Sequence, residues 1–286
     1  MYKGRLTAFG QLWRHGLLLV AVLFALGPIL WVISASFNPS NTIVGQSLIP
    51  ANPTLAHYRQ LFQDPRHPFH LWIWNSTKVA VIASTLTVAL TALGAYAFSR
   101  FRFRGRRGGL FTLILIQMFP QMLAMVAIYL LLLQLGEVFP ALGLNTHAGL
   151  IMVYLGGALG VNTWLMKGYF DTIPRSLEES AMMDGATPFQ AFVRIIMPLV
   201  RPILIVVFML SLIGCYSEYV LARIILQTTD QYTLPVGMQL FISDQYSSRW
   251  GIFAAGALLG ALPIVIIFLV MQRQLVSGLT SGAVKE

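Results

Sequence analysis

The chain has 286 residues, 57% of them hydrophobic and 10% charged, with a mean hydropathy of +0.72. So few charges cannot cover the surface of a soluble enzyme of this length, and the same composition excludes intrinsic disorder. A polytopic membrane protein remains, in which the net charge of +9 reflects the Lys/Arg excess of cytoplasmic loops rather than a nucleic-acid surface.

A bilayer span needs about 20 mostly apolar residues. Six windows qualify, at roughly 16–36, 79–98, 110–133, 148–166, 200–222 and 252–271. The apolar run from Leu17 to Ala35 is too long for a cleaved signal peptide and reads as an uncleaved first helix. Of the nineteen Lys and Arg residues, fourteen fall on one side, including the cluster Arg100, Arg102, Arg104, Arg106 and Arg107. That asymmetry predicts cytoplasmic segments at 1–15 and 272–286 around a six-span domain at 16–271. Pro28, Pro120 and Pro263 each favour a kink. Gly156-x3-Gly160 and Gly256-x3-Gly260 offer small faces, for helix packing or for a pore wall. The single cysteine, Cys215, excludes a disulfide framework, a CxxC pair and a Cys-rich zinc site.

On the opposite side, residues 37–78 hold Pro39, Pro50, Pro53, Pro65 and Pro68 and are expected to be mostly irregular. His67 and His70 are separated by Pro68, so solvated histidines are expected there and no metal site. The loop at 223–251 carries Gln239, Asp244, Gln245 and Tyr246. Its amide and aromatic side chains suit contact with a protein or a sugar, and a plain solvated connection has the same composition. Glu218, the carboxylate within the spans, is a gate or interface group, a hydrated boundary residue or a proton relay.

The cytoplasmic segment 167–198 carries the clearest local signals. Ser176 with Glu179, and Thr187 with Pro188 and Gln190, read as two capping boxes. Gly185 lies where a left-handed residue would end the first helix. The result is helix, sharp turn, helix. Phe189, Phe192, Val193 and Ile196 follow at i, i+3, i+4 and i+7, an apolar face for the bilayer surface or for a partner's groove. The acidic Glu178, Glu179 and Asp184 favour a basic protein partner. No GxxxxGK[ST], HExxH or GxSxG run occurs, so neither nucleotide nor hydrolase chemistry is legible in this chain.

Glu179-Ser180-Ala181, Gly185 and Ile195-x-Met197-Pro198 resemble, at matching spacing, the EAA-x3-G-x9-I-x-L-P loop of bacterial ABC importer permeases, the binding-protein-dependent family. Ser180 and Met197 replace an Ala and a Leu of that pattern. Further stretches, among them Trp74-Asn75-Ser76, Gln117-Met118-Phe119-Pro120, Gly143-Leu144-Asn145-Thr146-His147, Lys167-Gly168-Tyr169-Phe170 and Gly278-Leu279-Thr280, look like the maltose/maltodextrin members. The resemblance implies an all-α polytopic fold of six transmembrane helices, the type I ABC importer permease fold with a cytoplasmic coupling-helix loop. It implies a non-catalytic subunit in the bacterial inner membrane with both termini cytoplasmic. The implied partners are a larger permease, a dimer of ATPase subunits that hold ATP and Mg, and a periplasmic maltose-binding protein delivering maltose or maltodextrin. Glu178, Glu179, Ala181, Asp184, Gly185, Phe189 and Phe192 would then face an ATPase subunit. Gly278, Leu279 and Thr280 would reach the ATPase interface, and Gln239, Asp244, Gln245 and Tyr246 the binding protein. A permease for another oligosaccharide, a secondary transporter working alone and a membrane scaffold are the alternatives.

Overall fold

The computed structural model describes residues 8–42, 45–243 and 248–283, in which helices and turns occur and no strand. The helices in chain order are α1 (Ala8–Phe37), α2 (Ala56–Gln63), α3 (Phe69–Arg100), α4 (Arg106–Met118), α5 (Gln121–Val138), α6 (His147–Phe170), α7 (Ser176–Met183), α8 (Pro188–Ala191), α9 (Met197–Ser217), α10 (Val220–Ile225), α11 (Leu234–Gln239) and α12 (Trp250–Ala283). Among the described residues five helical stretches are long and apolar enough to cross a membrane, six if the bent pair α4 and α5 counts as one span. The contacts divide the chain into two units, residues 1–69 with 238–261, and residues 70–237 with 262–286.

In the first unit α1 exposes nearly its whole apolar surface, Phe24 by 84%. Only its C-terminal end is buried, at Ser34, Ala35 and Ser36. There α2 packs on it: Tyr58 donates to Ser36 at 2.8 Å, and the His57 ring lies 2.6 Å from the Asn38 carbonyl. The stretch expected to be irregular therefore contains α2 and the start of α3. His67 is bound to Asp64 at 2.7 Å and packs on the Phe241 ring, and no metal-ligand cluster occurs among the described residues. Burial alone would raise the Asp64 carboxyl, but the hydrogen bonds from His67 and the Arg66 amide, with the nearby charges of His67 and Arg249, outweigh it and hold it below its usual value.

In the second unit α3, α6 and α9 share a core in which Ala92, Ala95 and Tyr96 meet Met166, Phe170, Ile196 and Val200. Small residues on α3 let the larger side chains of α6 and α9 come close. The third span, expected at 110–133 with a kink favoured at Pro120, is broken at Phe119-Pro120, where α4 and α5 meet at 99°. Proline supplies no amide there. Gln117, one turn earlier, turns onto α6 instead, donating to the Gly157 carbonyl at 2.5 Å and accepting from the Val161 amide at 2.9 Å. Those are the two groups of a single i, i+4 step.

α4 rests on α6 at Gly160, where an added Cβ would overlap the Leu113 carbonyl and the Gln117 side chain, whereas one at Gly156 would meet nothing within 4 Å. Half of the small-residue motif is thus a close helix contact, and the other half borders an open apolar groove between the α4–α5 bend and α6. Gly160→Val should cost about 1–3 kcal/mol through overpacking, while Gly156→Ala should be neutral. Thermal unfolding of the detergent-solubilised protein checks the contrast, with a lower midpoint expected for Gly160→Val alone.

Candidate functional site

The loop at 167–198 is built on the ends of α3 and α6. Lys167 and Asp171 pair at 2.5 Å one turn apart, and Ser99 of α3 donates to Asp171 at 2.6 Å. Burial would raise the Asp171 carboxyl, but these hydrogen bonds and the charges of Lys167 and Arg106 prevail and lower it. Arg175 donates to the Ser99 carbonyl at 2.9 Å. The chain enters α7 with Arg175 already helical (φ −63°, ψ −27°) as the residue before the helix and without a side-chain cap. The expected Ser176 box is therefore absent: Ser176 is inside the first turn, where its hydroxyl cannot cap.

The other end of α7 follows the sequence expectation closely. Gly185 has φ +88°, its amide donates to the Met182 carbonyl at 3.1 Å, and the Ala186 amide donates to the Ala181 carbonyl at 3.0 Å. This pair of bonds is the Schellman closure, which a residue with a Cβ adopts only under strain. Thr187 then starts α8 with both halves of a capping box, the Gln190 amide to Thr187 Oγ1 at 3.2 Å and the Thr187 amide to Gln190 Oε1 at 2.9 Å, with Pro188 at the first helical position.

Beyond α8 the structure departs from the expected amphipathic helix. A π turn at Phe192–Ile196 joins α8 to α9 without a break, so that Pro188–Ser217 is one helical stretch of 30 residues. The wider turn rotates the apolar stripe. Phe192 and Ile196 are buried in the core of α3, α6 and α9, while Phe189 is 70% exposed and Val193 is exposed too. Phe192 thus packs on its own spans instead of facing outward. α9 ends at Ser217, short of the expected boundary at 222, and Glu218 accepts from the Leu221 and Ala222 amides at 2.8 and 3.0 Å and from the Tyr154 hydroxyl at 2.8 Å. The carboxylate ties α6, α9 and α10 together beside a cleft of about 300 Å³ that also includes Asn162, Ser211 and Cys215.

The outward surface of the loop therefore includes, of the expected contact residues, Glu179, Asp184, Gly185 and Phe189, joined by Met183, which is 87% exposed. It combines two carboxylates with two large apolar side chains, the composition of a docking face for a basic partner with an apolar pocket. Ala181 is half-buried. Glu178 is not part of this surface. Its residue is 5% exposed, and its carboxylate is enclosed by Arg100 and Tyr96. Sequence reading counted Arg100 only as a topology charge; the available signal was Tyr96 and Arg100 one helical turn apart at the end of a span.

The segment at 223–251 is folded rather than a plain loop. In the second unit the start of α3 grips it: Trp72 donates to the Thr229 carbonyl at 2.7 Å, Asn75 to the Asp230 and Tyr232 carbonyls, and Ser76 accepts from the Leu234 amide at 2.7 Å. Asn145, with φ +58°, accepts from the Gln227 and Thr228 amides. Hydrogen bonding to Thr228 leads the interactions that hold the exposed Asp230 carboxyl below its usual value. Gln239 ends α11 and is half-buried. Asp244, Gln245 and Tyr246 lie outside the described residues. Gly278, Leu279 and Thr280 belong to the helical backbone of α12.

The family model described as the binding-protein-dependent transport system inner membrane component matches residues 88–280. The chain is 49% identical to the maltose/maltodextrin transport system permease protein MalG of Vibrio vulnificus strain YJ016, over 90% of each chain. It is 47% identical to the protein of that name from Photorhabdus laumondii, over 96% of this chain and 97% of the relative, and 45% identical to that of Escherichia coli K12, over 95% and 94%. Among solved structures, a chain of a bacterial ABC transporter involved in import of the acidic polysaccharide alginate superposes with a TM-score of 0.74 at 25% identity, covering 96% of this chain and 99% of the other. With the fold, the loop geometry and the sequence match all in agreement, the chain belongs to the family of inner-membrane components of binding-protein-dependent transport systems.

Proposed function

We propose that this chain is a permease subunit of an ATP-driven importer of maltose and maltodextrins, acting beside a larger partner permease, a dimer of ATPase subunits and a periplasmic maltose-binding protein. The observation that carries the reading is identity of 45–49% sustained over 90% or more of both chains to permeases named for that transport system. ATP and Mg belong to the ATPase subunits; this chain holds no nucleotide and catalyses no bond cleavage. It is a multi-pass inner-membrane protein with both termini in the cytoplasm.

In this reading the exposed face of α7 and α8 docks on an ATPase subunit. Glu179 and Asp184 meet its basic side chains, and Met183 and Phe189 fill an apolar recess. Closure of the ATPase dimer around ATP displaces the loop. Because α8 continues into α9, the displacement enters the membrane along one helix, and the spans change from inward-facing to outward-facing. Gly278, Leu279 and Thr280 extend α12 toward the ATPase interface. Gln239, with Asp244, Gln245 and Tyr246, faces the binding protein on the other side.

The reading is tested by purifying the tagged chain from native membranes and reconstituting what is retained. Co-purification of an ATPase subunit and a larger permease, with ATP hydrolysis stimulated by maltose-loaded binding protein, is expected. Stimulation by alginate oligosaccharides instead of maltodextrins would move the substrate to acidic polysaccharides, and transport by the chain alone without ATP would replace the reading with a secondary carrier.

Glu179→Lys should lower sugar uptake by about tenfold or more and weaken ATPase retention, since it reverses a charge at a contact; normal uptake with normal retention would remove Glu179 from the docking face. Thr187→Ala should cost about 1 kcal/mol of cap stability, read by hydrogen–deuterium exchange as about fivefold faster exchange at the Gln190 amide.

A further inference from the structure

We infer that Glu178, Arg100 and Tyr96 form a rigid joint that carries movement of the loop at 167–198 into α3, and that Glu178 and Glu179 divide two tasks between them. This inference rests on the importer reading. Adjacent glutamates in α7 point to different surroundings. Glu179 is exposed, whereas Glu178 pairs with Arg100 at 2.5 Å, and the side chains of that pair are each 7% exposed. The second carboxylate oxygen accepts from the Tyr96 hydroxyl at 3.0 Å.

Arg100 reaches beyond the carboxylate. Its guanidinium also donates to the Ile173 carbonyl at 3.0 Å and to the Ser99 hydroxyl at 3.3 Å. Ser99 in turn donates to Asp171, and its carbonyl accepts from Arg175. The last two turns of α3 therefore hold the segment from Asp171 to Glu178 at several points. Tyr96 adds the other half of the loop. Its ring lies 4.6 Å from that of Phe192, in the π turn that follows α8, and 6.3 Å from that of Phe170 at the end of α6. One tyrosine thus touches the α7 anion through its hydroxyl and the α8–α9 junction through its face.

A buried ion pair is a poor device for stability, because desolvating two charges offsets most of their attraction and an apolar pair of similar volume does as well. What it provides is a single geometry: a bidentate-capable guanidinium accepts few alternative positions of its carboxylate partner once water is excluded. Between a docking loop and a spanning helix, such a contact suppresses sliding. A push on Glu179 and Phe189 would then move α3 together with α9, rather than being absorbed where the loop meets the spans.

The test uses the whole reconstituted complex, scoring sugar uptake, ATP hydrolysis and retention of the ATPase subunits for each variant. Glu178→Gln and Arg100→Gln are expected to keep the ATPase subunits and hydrolyse ATP while sugar moved per ATP falls about fivefold or more, the scale of a typical coupling between sites. The double variant should be no worse than either single one, as for groups that act as a unit. Sugar per ATP unchanged in an assembled Glu178→Gln complex overturns the joint. Loss of the ATPase subunits from Glu178→Gln but not from Arg100→Gln also overturns it, by making Glu178 a partner contact. If the charge variants do not assemble, Tyr96→Phe, which removes one hydroxyl, decides: a lowered ratio supports the joint and an unchanged ratio overturns it. Absence of ATP-dependent maltodextrin uptake by the unaltered complex would instead defeat the importer reading itself.

Discussion

A peptide group left without a hydrogen-bond partner in hydrocarbon costs several kcal/mol, and at three interruptions of the helices a polar side chain meets that constraint. Where α9 ends, the carboxylate of Glu218 accepts from two amides of α10 and from Tyr154. Where α5 gives way to α6, Asn145 covers two amides of the neighbouring segment, and Thr146 accepts from the Gly149 amide. Near the α4–α5 break, Gln117 engages an amide and a carbonyl of α6. Each of these three interruptions comes with a dedicated polar side chain.

The same constraint explains how a chain with so few charges deploys them. Inside the second unit Arg100 and Glu178 neutralise one another, and Ser99 and Asp171 extend the network to Lys167 and Arg175. At the surface Glu179 and Asp184 stand exposed next to Met183 and Phe189. The exposed face of the loop is consequently acidic and apolar, while Arg100 and Glu178 beneath it are matched and enclosed. In the proposed importer, electrostatic attraction for a partner would thereby be separated from the electrostatics that hold the loop in shape.

Much of this was legible in the sequence, because short-range backbone chemistry leaves unambiguous marks. Gly185 and the Thr187-Pro188-x-Gln190 run specify a helix stop and a helix start, and both occur where the residues place them. Each apolar window overlaps a long helix or the bent pair, but the helices extend past the windows: α3 begins at Phe69, ten residues before its window. Ser176 was misjudged because a capping box is a pattern of four residues with no knowledge of the preceding turn, and Arg175 was already helical. The π turn at Phe192–Ile196 left no local trace, for its cause is the core that Phe192 and Ile196 enter. Arg100 was hidden in a cluster of five arginines, where a count of charges cannot tell Arg100, which folds inward, and Arg106, which turns back onto α3, from those that face water.

The uninterrupted helix from Pro188 to Ser217 has a mechanical consequence. Its 30 residues span about 45 Å at 1.5 Å per residue, with Phe189 at one end and the Glu218 clasp just past the other. Pivoting such a rod about one end by about 5° sweeps the opposite end through about 4 Å, more than a hydrogen bond's length. A rotation of a few degrees at the Phe189 end thus corresponds, for a straight rod, to a displacement at the Glu218 end longer than the 2.8 Å Tyr154–Glu218 contact.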